Sequence, residues 1–258
     1  MDYTPNTDED RESMLRAIGV QKVMDLFKDI PENLVLKNPL RIPEQLSEFE
    51  LIRELEKVSK KNKRPLSFQG GGSYNHHIPS TVNAITSRGE FSTSYTPYQP
   101  EISQGTLQAI FEYQSMICEL TGMDVSNASM YDGATSLAEA MILASRIKGK
   151  KQVLVSQALN PFYREVLNTY ARASEIKIVD VDITNGLTSD FKTEDSSAII
   201  IQNPNFFGLI ENLKEIRKKA EDILLITSTT EPLSWAMLKP FSEYDVDIVT
   251  AEGQSFGN

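Results

Sequence analysis

The sequence contains few of the residues from which disulfides and metal sites are built. Its 258 residues include one cysteine, Cys118, and two histidines, His76 and His77, which are neighbours. A single cysteine excludes an intrachain disulfide and a cysteine-rich zinc site. Adjacent strand residues point to opposite faces, and no cysteine or carboxylate cluster lies beside the histidines at metal-ligand spacing. We therefore predict no metal site and a reducing, cytoplasmic setting.

Basic charge and long apolar runs are also scarce. The 26 lysines and arginines are outnumbered by 36 aspartates and glutamates, which gives a net charge of −10. This excess disfavours general nucleic-acid binding, which needs clustered basic side chains. No apolar run approaches the roughly 18–20 residues that cross a bilayer, and the polar residues 1–8 do not resemble a secretory signal. We predict neither a nucleic-acid nor a membrane partner.

The first part of the chain, residues 1–65, has the pattern of a helical N-terminal arm. Residue 7 or 8 can cap a first helix, whose first turn is acidic. A second short helix is predicted at residues 23–27, and the prolines of residues 31–43 favour an extended stretch. Ser47 opens a third helix. Because such an arm has little core of its own, we expect it to pack on the main body or on another subunit.

The rest of the chain, residues 66–258, alternates helical segments with short β-branched runs. This alternation predicts the α/β class, with a mostly parallel sheet covered by helices on both faces. The predicted strands lie at residues 153–155, 176–181, 198–201, 223–226 and 246–249. The predicted helices lie at residues 104–121, 133–147, 161–172 and 209–221. The buried side of the first of these helices is predicted to carry Leu107, Ile110, Phe111, Ile117 and Cys118.

Two loops near the start of this domain combine polar and aromatic residues. The loop at residues 67–79 contains three consecutive glycines, which allow a sharp turn, but it lacks the spacing of a dinucleotide fingerprint. A structural turn explains it best, and His76 stays open as a polar donor at a cleft. In the loop at residues 91–103, two prolines stiffen the segment that holds Tyr95 and Tyr98. Those phenols could contact a flat ligand or simply pack, and the residues alone leave both interpretations open.

A third candidate is the helix start that follows Asp132. This aspartate can cap the helix, and the N–H groups of Gly133, Ala134 and Thr135 would then form an anion site. The same residues also make an ordinary capped helix, which is the simpler interpretation of this motif alone.

Several longer runs carry a family resemblance. Residues 94–105, which read Ser-Tyr-Thr-Pro-Tyr-Gln-Pro-Glu-Ile-Ser-Gln-Gly, closely resemble the signature loop of glycine decarboxylase, the P-protein of the glycine cleavage system. The resemblance continues through residues 113–124 and 127–135. The opening, at residues 3–7, is similar to that of subunit 1, the α subunit, of the bacterial two-subunit form. The resemblance covers essentially the whole chain.

This resemblance implies both a fold and a chemistry. The fold is that of the aspartate-aminotransferase-like enzymes that depend on pyridoxal 5'-phosphate, known as fold type I. The reaction is decarboxylation of glycine, with transfer of the aminomethyl group to the lipoyl-lysine of the H-protein. In such enzymes a lysine that follows a late strand of the large domain forms a Schiff base with the cofactor.

Two departures from that pattern lie near the end of the chain. Gln254 stands where the Schiff-base lysine would be, and no lysine follows Lys239. Residues 226–231 lack the aspartate that normally pairs with the cofactor ring. The resemblance therefore implies a non-catalytic α subunit, with pyridoxal 5'-phosphate on a homologous β subunit of an α2β2 assembly. Because the family continues with a smaller carboxy-terminal domain, we expect residues 66–258 to be an incomplete large domain of an amino-terminal fragment, with little activity alone.

The same resemblance assigns roles to residues of this chain. The helix start at residues 133–135 matches the family's phosphate-binding position and is expected to be vestigial. No residue of the chain is expected to be catalytic by itself. The residues expected to face the partner's cofactor and substrate are Tyr95, Thr96, Tyr98, Gln99 and, as a weaker candidate, His76.

Two other interpretations stay open at this point. The chain could be another enzyme of the same fold, such as an aminotransferase or desulfurase, with an unrecognised lysine. Alternatively, it could be an assembly subunit that stabilises a partner and contributes nothing to its pocket. A borohydride-reducible cofactor adduct on one lysine would favour the first, whereas an unchanged rate after removal of the loop phenols would favour the second.

Overall fold

The computed structural model describes residues 5–38, 40–63, 65–92 and 96–257. The chain divides into two compact units, Met1–Leu66 and Ser67–Asn258.

The unit Met1–Leu66 contains two α-helices that are fixed by local capping. Helix α1 spans Asp8–Ile18 and helix α2 spans Glu48–Ser59. Each begins with a capping box, in which a hydroxyl and a carboxylate three residues apart exchange hydrogen bonds with the backbone, as Ser47 and Glu50 do at the start of α2. None of the described residues of this unit is buried.

One prediction for this unit is confirmed and one needs correction. The short helix predicted at residues 23–27 is present, as the 3-10 helix Val23–Phe27. A second 3-10 turn at Glu32–Leu34 interrupts the stretch predicted to be extended. The reason is local, because Pro31 at the N-cap has a φ of −56°, which is compatible with the start of a turn as well as with extended chain.

The unit Ser67–Asn258 is built on a parallel sheet with the strand order β2-β1-β5-β6-β7. Chain order reverses between β1 and β5, so the carboxyl ends of the strands open into a crevice there. A small antiparallel pair, β3 and β4, lies outside this sheet. The strands are β1 (Gln152–Ser156), β2 (Lys177–Val181), β3 (Ile183–Thr184), β4 (Leu187–Thr188), β5 (Ser196–Gln202), β6 (Leu224–Thr229) and β7 (Ile248–Ala251).

Helices precede the sheet and connect its strands. Two of them, α3 and α4, were not predicted, and α8 is shorter than the helix predicted at residues 209–221. The helices of this unit are α3 (Ser80–Thr86), α4 (Gly89–Ser92), α5 (Gln104–Thr121), α6 (Gly133–Lys148), α7 (Pro161–Ala173) and α8 (Leu213–Lys219).

The sheet has a buried apolar core on each face, which confirms the prediction of a sheet covered on both sides. On one face, Val155, Ile200 and Ile226 pack with Leu137 and Met141 of α6. The other face forms a separate cluster with residues of α8 and of the 3-10 turn Phe241–Tyr244. That second cluster includes Leu154, Ile199, Ile201, Leu225, Leu213, Ile216 and Phe241.

The prediction that helix α5 buries its apolar side was wrong in extent. Phe111 is 66% exposed, and only Thr121 of this helix is buried. The predicted positions Leu107, Ile110, Ile117 and Cys118 are half-buried. Helical periodicity identifies the side that carries apolar residues, but it does not show how much neighbouring chain covers that side.

Across the described ranges, no helix is both long enough and apolar enough to cross a bilayer.

Candidate functional site

A cavity of about 620 Å³ lies beside the carboxyl ends of the parallel strands. Its walls come from the glycine-rich loop and from the segments that directly follow β1, β6 and β7. In α/β folds this edge of the sheet is the usual ligand-binding location. The lining residues are Gln69, Gly70, Gly71, Gly72, Ser73, Tyr74, His76, Asn160, Phe162, Tyr163, Thr230, Glu231, Glu252, Gln254 and Ser255.

The glycine-rich loop forms the predicted tight turn and also one wall of the cavity. Gly70, Gly71 and Gly72 all have left-handed backbone conformations, with φ of 63°, 86° and 94°. A Cβ atom on Gly72 would lie 2.7 Å from the side-chain nitrogen of Asn160, so a larger residue there would displace that side chain and strain the backbone. Asn160 Nδ2 donates to the carbonyl of Gly71 at 3.1 Å and holds the loop against the sheet.

Asn160 is a buried anchor at the end of β1. Only 3% of this residue is exposed. Its backbone N–H donates to Oε1 of Gln202 at 2.7 Å, and its own side-chain oxygen accepts from the N–H of Phe162 at 2.9 Å. The second contact makes Asn160 the N-cap of α7, which begins at Pro161. The side chain of Asn160 therefore joins the glycine-rich loop to α7, and its backbone N–H joins both to the sheet.

Glu252 links the end of β7 to two helices. Its Oε1 atom accepts from the backbone N–H of Gly133 at 2.9 Å and from the hydroxyl of Tyr163 at 2.6 Å. Gly133 is buried at the start of α6, where a Cβ would lie 2.5 Å from the Tyr163 hydroxyl and 2.8 Å from Glu252 Oε1. A side chain at residue 133 would therefore require the carboxylate or the phenol to move.

Tyr163 is held in its protonated form. Burial raises the pKa of its phenol well above the ordinary value of 10.0, and the hydrogen bond to Glu252 raises it further. Near neutral pH the phenol is therefore a hydrogen-bond donor, and Glu252 is its acceptor.

The predicted helix start at Asp132 is confirmed as an N-cap. The Asp132 carboxylate accepts from the N–H of Thr135 at 2.7 Å and from its hydroxyl at 3.0 Å. Gly133 and Ala134 are buried and Thr135 is half-buried. Of the three N–H groups considered as an anion site, those of Gly133 and Thr135 already bind carboxylates of this chain.

The two histidines differ in environment, as expected for neighbours. His76 is largely buried, with 16% of its side chain exposed, and its Nε2 lies 3.1 Å from Oε2 of Glu231. His77 is exposed. Glu231 also accepts from the N–H of Leu233 at 3.3 Å, so it is fixed by its own turn. In the portion of the chain that the structure describes, no group of three His, Cys, Asp or Glu side chains could hold a metal ion.

Gln254 lies at the cavity, at the start of the 3-10 turn Gln254–Phe256 that follows β7. Its side chain ends in an amide and is exposed. None of the described residues that line the cavity is a lysine.

In the tyrosine-containing loop, the described residues 96–103 do not line this cavity. Thr96, Tyr98 and Gln99 are exposed, and Tyr98 is 85% exposed. The loop turns on its own backbone, since the N–H of Tyr98 donates to the carbonyl of Thr96 at 2.8 Å. Tyr95 lies outside the described residues. The structure thus brings His76, Gln254 and the start of α6 to the same edge of the sheet and leaves Thr96–Gln99 apart from it.

Sequence reasoning missed three residues of the site, Asn160, Tyr163 and Glu252. A signal existed for Asn160, because an Asn-Pro pair directly after an apolar run is typical of an N-cap followed by Pro at the first helical position. No local signal marks the contacts of Glu252, whose partners are 89 and 119 positions away.

The parallel sheet, its two helical layers and the cavity at its carboxyl edge are those of an α/β protein, and the similarity to solved structures identifies the fold as the pyridoxal-phosphate-dependent transferase fold of type I. A solved NifS-like protein shares the fold, with a TM-score of 0.55 and 12% identity over 73% of this chain and 55% of that one.

Within this class the chain belongs to the family of the glycine cleavage system P-protein, whose sequence profile matches residues 1–258. It is 48% identical over 267 residues to a Bacillus licheniformis protein named probable glycine dehydrogenase (decarboxylating) subunit 1, covering 99% of this chain and 59% of that relative. A crystal structure of an inhibitor-bound glycine decarboxylase (P-protein) superposes with a TM-score of 0.90 and 44% identity, over 100% of this chain and 59% of that one. The chain therefore spans about three fifths of the length of these relatives.

The residues at the sheet edge do not fit a covalently held pyridoxal phosphate. A covalent tether requires a primary amine, and residue 254 offers an amide, while no described lining residue is a lysine. A phosphate at the start of α6 would require the N–H of Gly133, which is bound to Glu252.

Proposed function

We propose that this chain is the α subunit of a two-subunit glycine dehydrogenase of the decarboxylating type. The complete enzyme would decarboxylate glycine and transfer the aminomethyl group to the lipoyl-lysine of the H-protein. Membership of the P-protein family and the name of the curated relative, subunit 1, support this assignment. A cytoplasmic location would accompany it.

In this proposal the cofactor belongs to the partner. Pyridoxal phosphate would be held by a homologous β subunit, and the two chains would form an α2β2 assembly. The observation that carries the proposal is the amide of Gln254 after β7, at the sheet edge where this fold places its ligands. An amide cannot form the imine on which the cofactor's chemistry depends, so the chain requires a partner that supplies an amine.

The contribution of this chain to the partner's site would come from the exposed loop. Because Tyr98 is 85% exposed and the adjacent prolines limit the backbone, its side chain is available to a second chain at little cost in conformational freedom. Tyr95, Thr96 and Gln99 would belong to the same contact. His76 would have a secondary role, because Glu231 already binds its ring.

Reconstitution tests this role. A complex assembled with the partner subunit and the H-protein is expected to catalyse exchange of carbon dioxide into the carboxyl group of glycine. Tyr98→Phe in this chain is expected to slow that exchange by about tenfold. That factor corresponds to the loss of one hydrogen bond in the transition state. Tyr170→Phe is the control, because Tyr170 lies near the end of α7, packs against the core and is not among the residues that line the cavity.

The outcomes separate two roles for the chain. A slower rate for Tyr98→Phe with an unchanged Tyr170→Phe complex supports a direct contribution to the site. Equal rates for both variants, in complexes of equal stability, would mean that the chain acts only as a scaffold and contributes nothing to the site.

A further inference from the structure

The start of helix α6 carries two carboxylates, and they come from different parts of the chain. Asp132 is the local cap and accepts from the N–H of Thr135 at 2.7 Å. Glu252 follows β7, 119 positions away, and accepts from the N–H of Gly133 at 2.9 Å. The first four N–H groups of a helix lack an intrahelical partner, and Asp132 accepts from only one of them, that of Thr135. Glu252 accepts from another, that of Gly133, which an external anion would otherwise be able to use.

The free N–H groups and the positive end of the helix dipole make a helix start an anion site, and phosphate groups commonly bind there. At α6 this position is taken by an anion that belongs to the protein. The carboxylate of Glu252 is also fixed from the other side, because the hydroxyl of Tyr163 donates to the same oxygen at 2.6 Å.

The atoms packed around Gly133 also leave no room for a phosphate group at the start of α6. A single carbon atom added to Gly133 would lie 2.5 Å from the Tyr163 hydroxyl and 2.8 Å from Glu252 Oε1. A phosphate oxygen that accepted from the N–H of Gly133 would need the place of Glu252 Oε1, which lies 2.9 Å from that nitrogen, so it cannot bind there unless Glu252 moves away. Such a movement would leave the buried Gly133 N–H and the Tyr163 hydroxyl without their acceptor.

We propose that Glu252 is a built-in anion that closes the start of α6 to phosphate-bearing ligands. The carboxylate satisfies the donors that would otherwise bind phosphate, and its negative charge repels a second anion. This property belongs to the chain itself and does not depend on the role proposed for the assembled enzyme, so its failure would leave that role untouched.

Titration with inorganic phosphate and with pyridoxal phosphate tests the proposal. The Glu252→Ala variant is expected to bind both at least about tenfold more tightly than the unchanged protein, because the helix start regains a vacant donor and loses a repelling charge. The backbone amide resonance of Gly133 should shift on addition of phosphate in the variant only. Glu231→Ala is the matched control, because it removes a carboxylate from the same cavity without freeing the helix start.

The results divide clearly. A gain in Glu252→Ala that is absent from Glu231→Ala supports the proposal. Equal gains in both variants would mean that the overall charge of the cavity governs phosphate binding, and tight binding by the unchanged protein would mean that Glu252 does not exclude it. Either result overturns the proposal.

A pair of conservative variants covers the case in which Glu252→Ala does not fold. Glu252→Gln keeps an oxygen that can accept from Gly133 and Tyr163 but removes the charge, so a smaller gain in phosphate affinity is expected. Glu231→Gln is its control. If Glu252→Gln shows no gain above Glu231→Gln, the negative charge of Glu252 has no excluding effect and the proposal is wrong.

Discussion

The two units of the molecule reach their structure by different means. In Met1–Leu66 none of the described residues is buried, and the helices are defined by contacts between residues three or four positions apart, such as the Ser47–Glu50 capping box. In Ser67–Asn258 two apolar cores enclose the sheet, and side chains such as Glu252 bind groups about a hundred positions away. The first unit shows what local sequence signals can build alone, and the second shows what burial adds.

The difference has an energetic consequence. Capping boxes and helix ion pairs contribute about 0.3–2 kcal/mol each, and isolated helices of 11 or 12 residues are marginal in water. A fully buried leucine contributes considerably more. We therefore expect substitutions to have effects that depend on the unit in which they lie. Two matched pairs of substitutions test this expectation, and a pH titration tests the local capping of the first unit.

The largest difference is expected between two identical Leu→Ala changes. Leu137 has no exposed surface, so Leu137→Ala should lower the free energy of unfolding of the α/β unit by about 2–5 kcal/mol. Leu55 is 59% exposed, and Leu55→Ala should change the free energy of unfolding of the α/β unit by less than about 0.5 kcal/mol. Urea unfolding followed by the fluorescence of Trp235, the only tryptophan, reports on this unit. Similar losses in both variants would contradict the contrast between the units.

A smaller difference is expected between two helix caps. Asp132→Ala removes the acceptor for the Thr135 N–H and should lower the free energy of unfolding, measured by Trp235 fluorescence, by about 1 kcal/mol. Ser47→Ala removes the corresponding cap of α2 and should lower helix content, measured by circular dichroism, without shifting the Trp235 transition. A Trp235 transition that moves equally in both variants would show that α2 is coupled to the α/β core.

The smallest effect concerns pH. The side chain and then the backbone of Ser47 donate to the Glu50 carboxylate and lower its pKa below the ordinary value of 4.5. A pKa that is lower in the folded state than in the unfolded state stabilises the fold. This stabilisation is complete above about pH 4.5 and is lost as the pH falls through the pKa of the folded state. The capping box of α2 should therefore open only in that acidic range.

Carbon-13 NMR of the Glu50 carboxyl group measures this directly. The midpoint of its titration is expected below 4.5 in the unchanged protein and closer to 4.5 in Ser47→Ala. An identical midpoint in both proteins would show that the capping box does not form in solution.

The sequence predicted those parts of the molecule that depend on neighbouring residues. The five strands of the parallel sheet were located because β-branched runs mark them, and the N-caps Ser47 and Asp132 were located because a short polar side chain precedes an apolar helical pattern. The short helix at Val23–Phe27 was also located, but its 3-10 geometry was not, because a single short turn carries no periodicity that distinguishes a 3-10 helix from an α-helix.

The candidate site was less predictable for a physical reason. Residues 70–72 and the start of α6 are visible as local motifs, but their function depends on what faces them. Asn160 faces the glycines and Glu252 faces α6, across separations of 89 and 119 positions. The folded sheet creates these contacts by bringing the ends of β1 and β7 to the same edge, and no local pattern encodes them.

The central claim is that this chain does not itself tether pyridoxal phosphate. Incubation of the purified chain with the cofactor, reduction with borohydride and peptide mapping by mass spectrometry test it most directly. The account predicts no adduct on any single specific lysine of this chain, and a specific adduct on the partner subunit when the two are mixed. A stoichiometric adduct on one lysine of this chain, together with glycine decarboxylation by the chain alone, would contradict it.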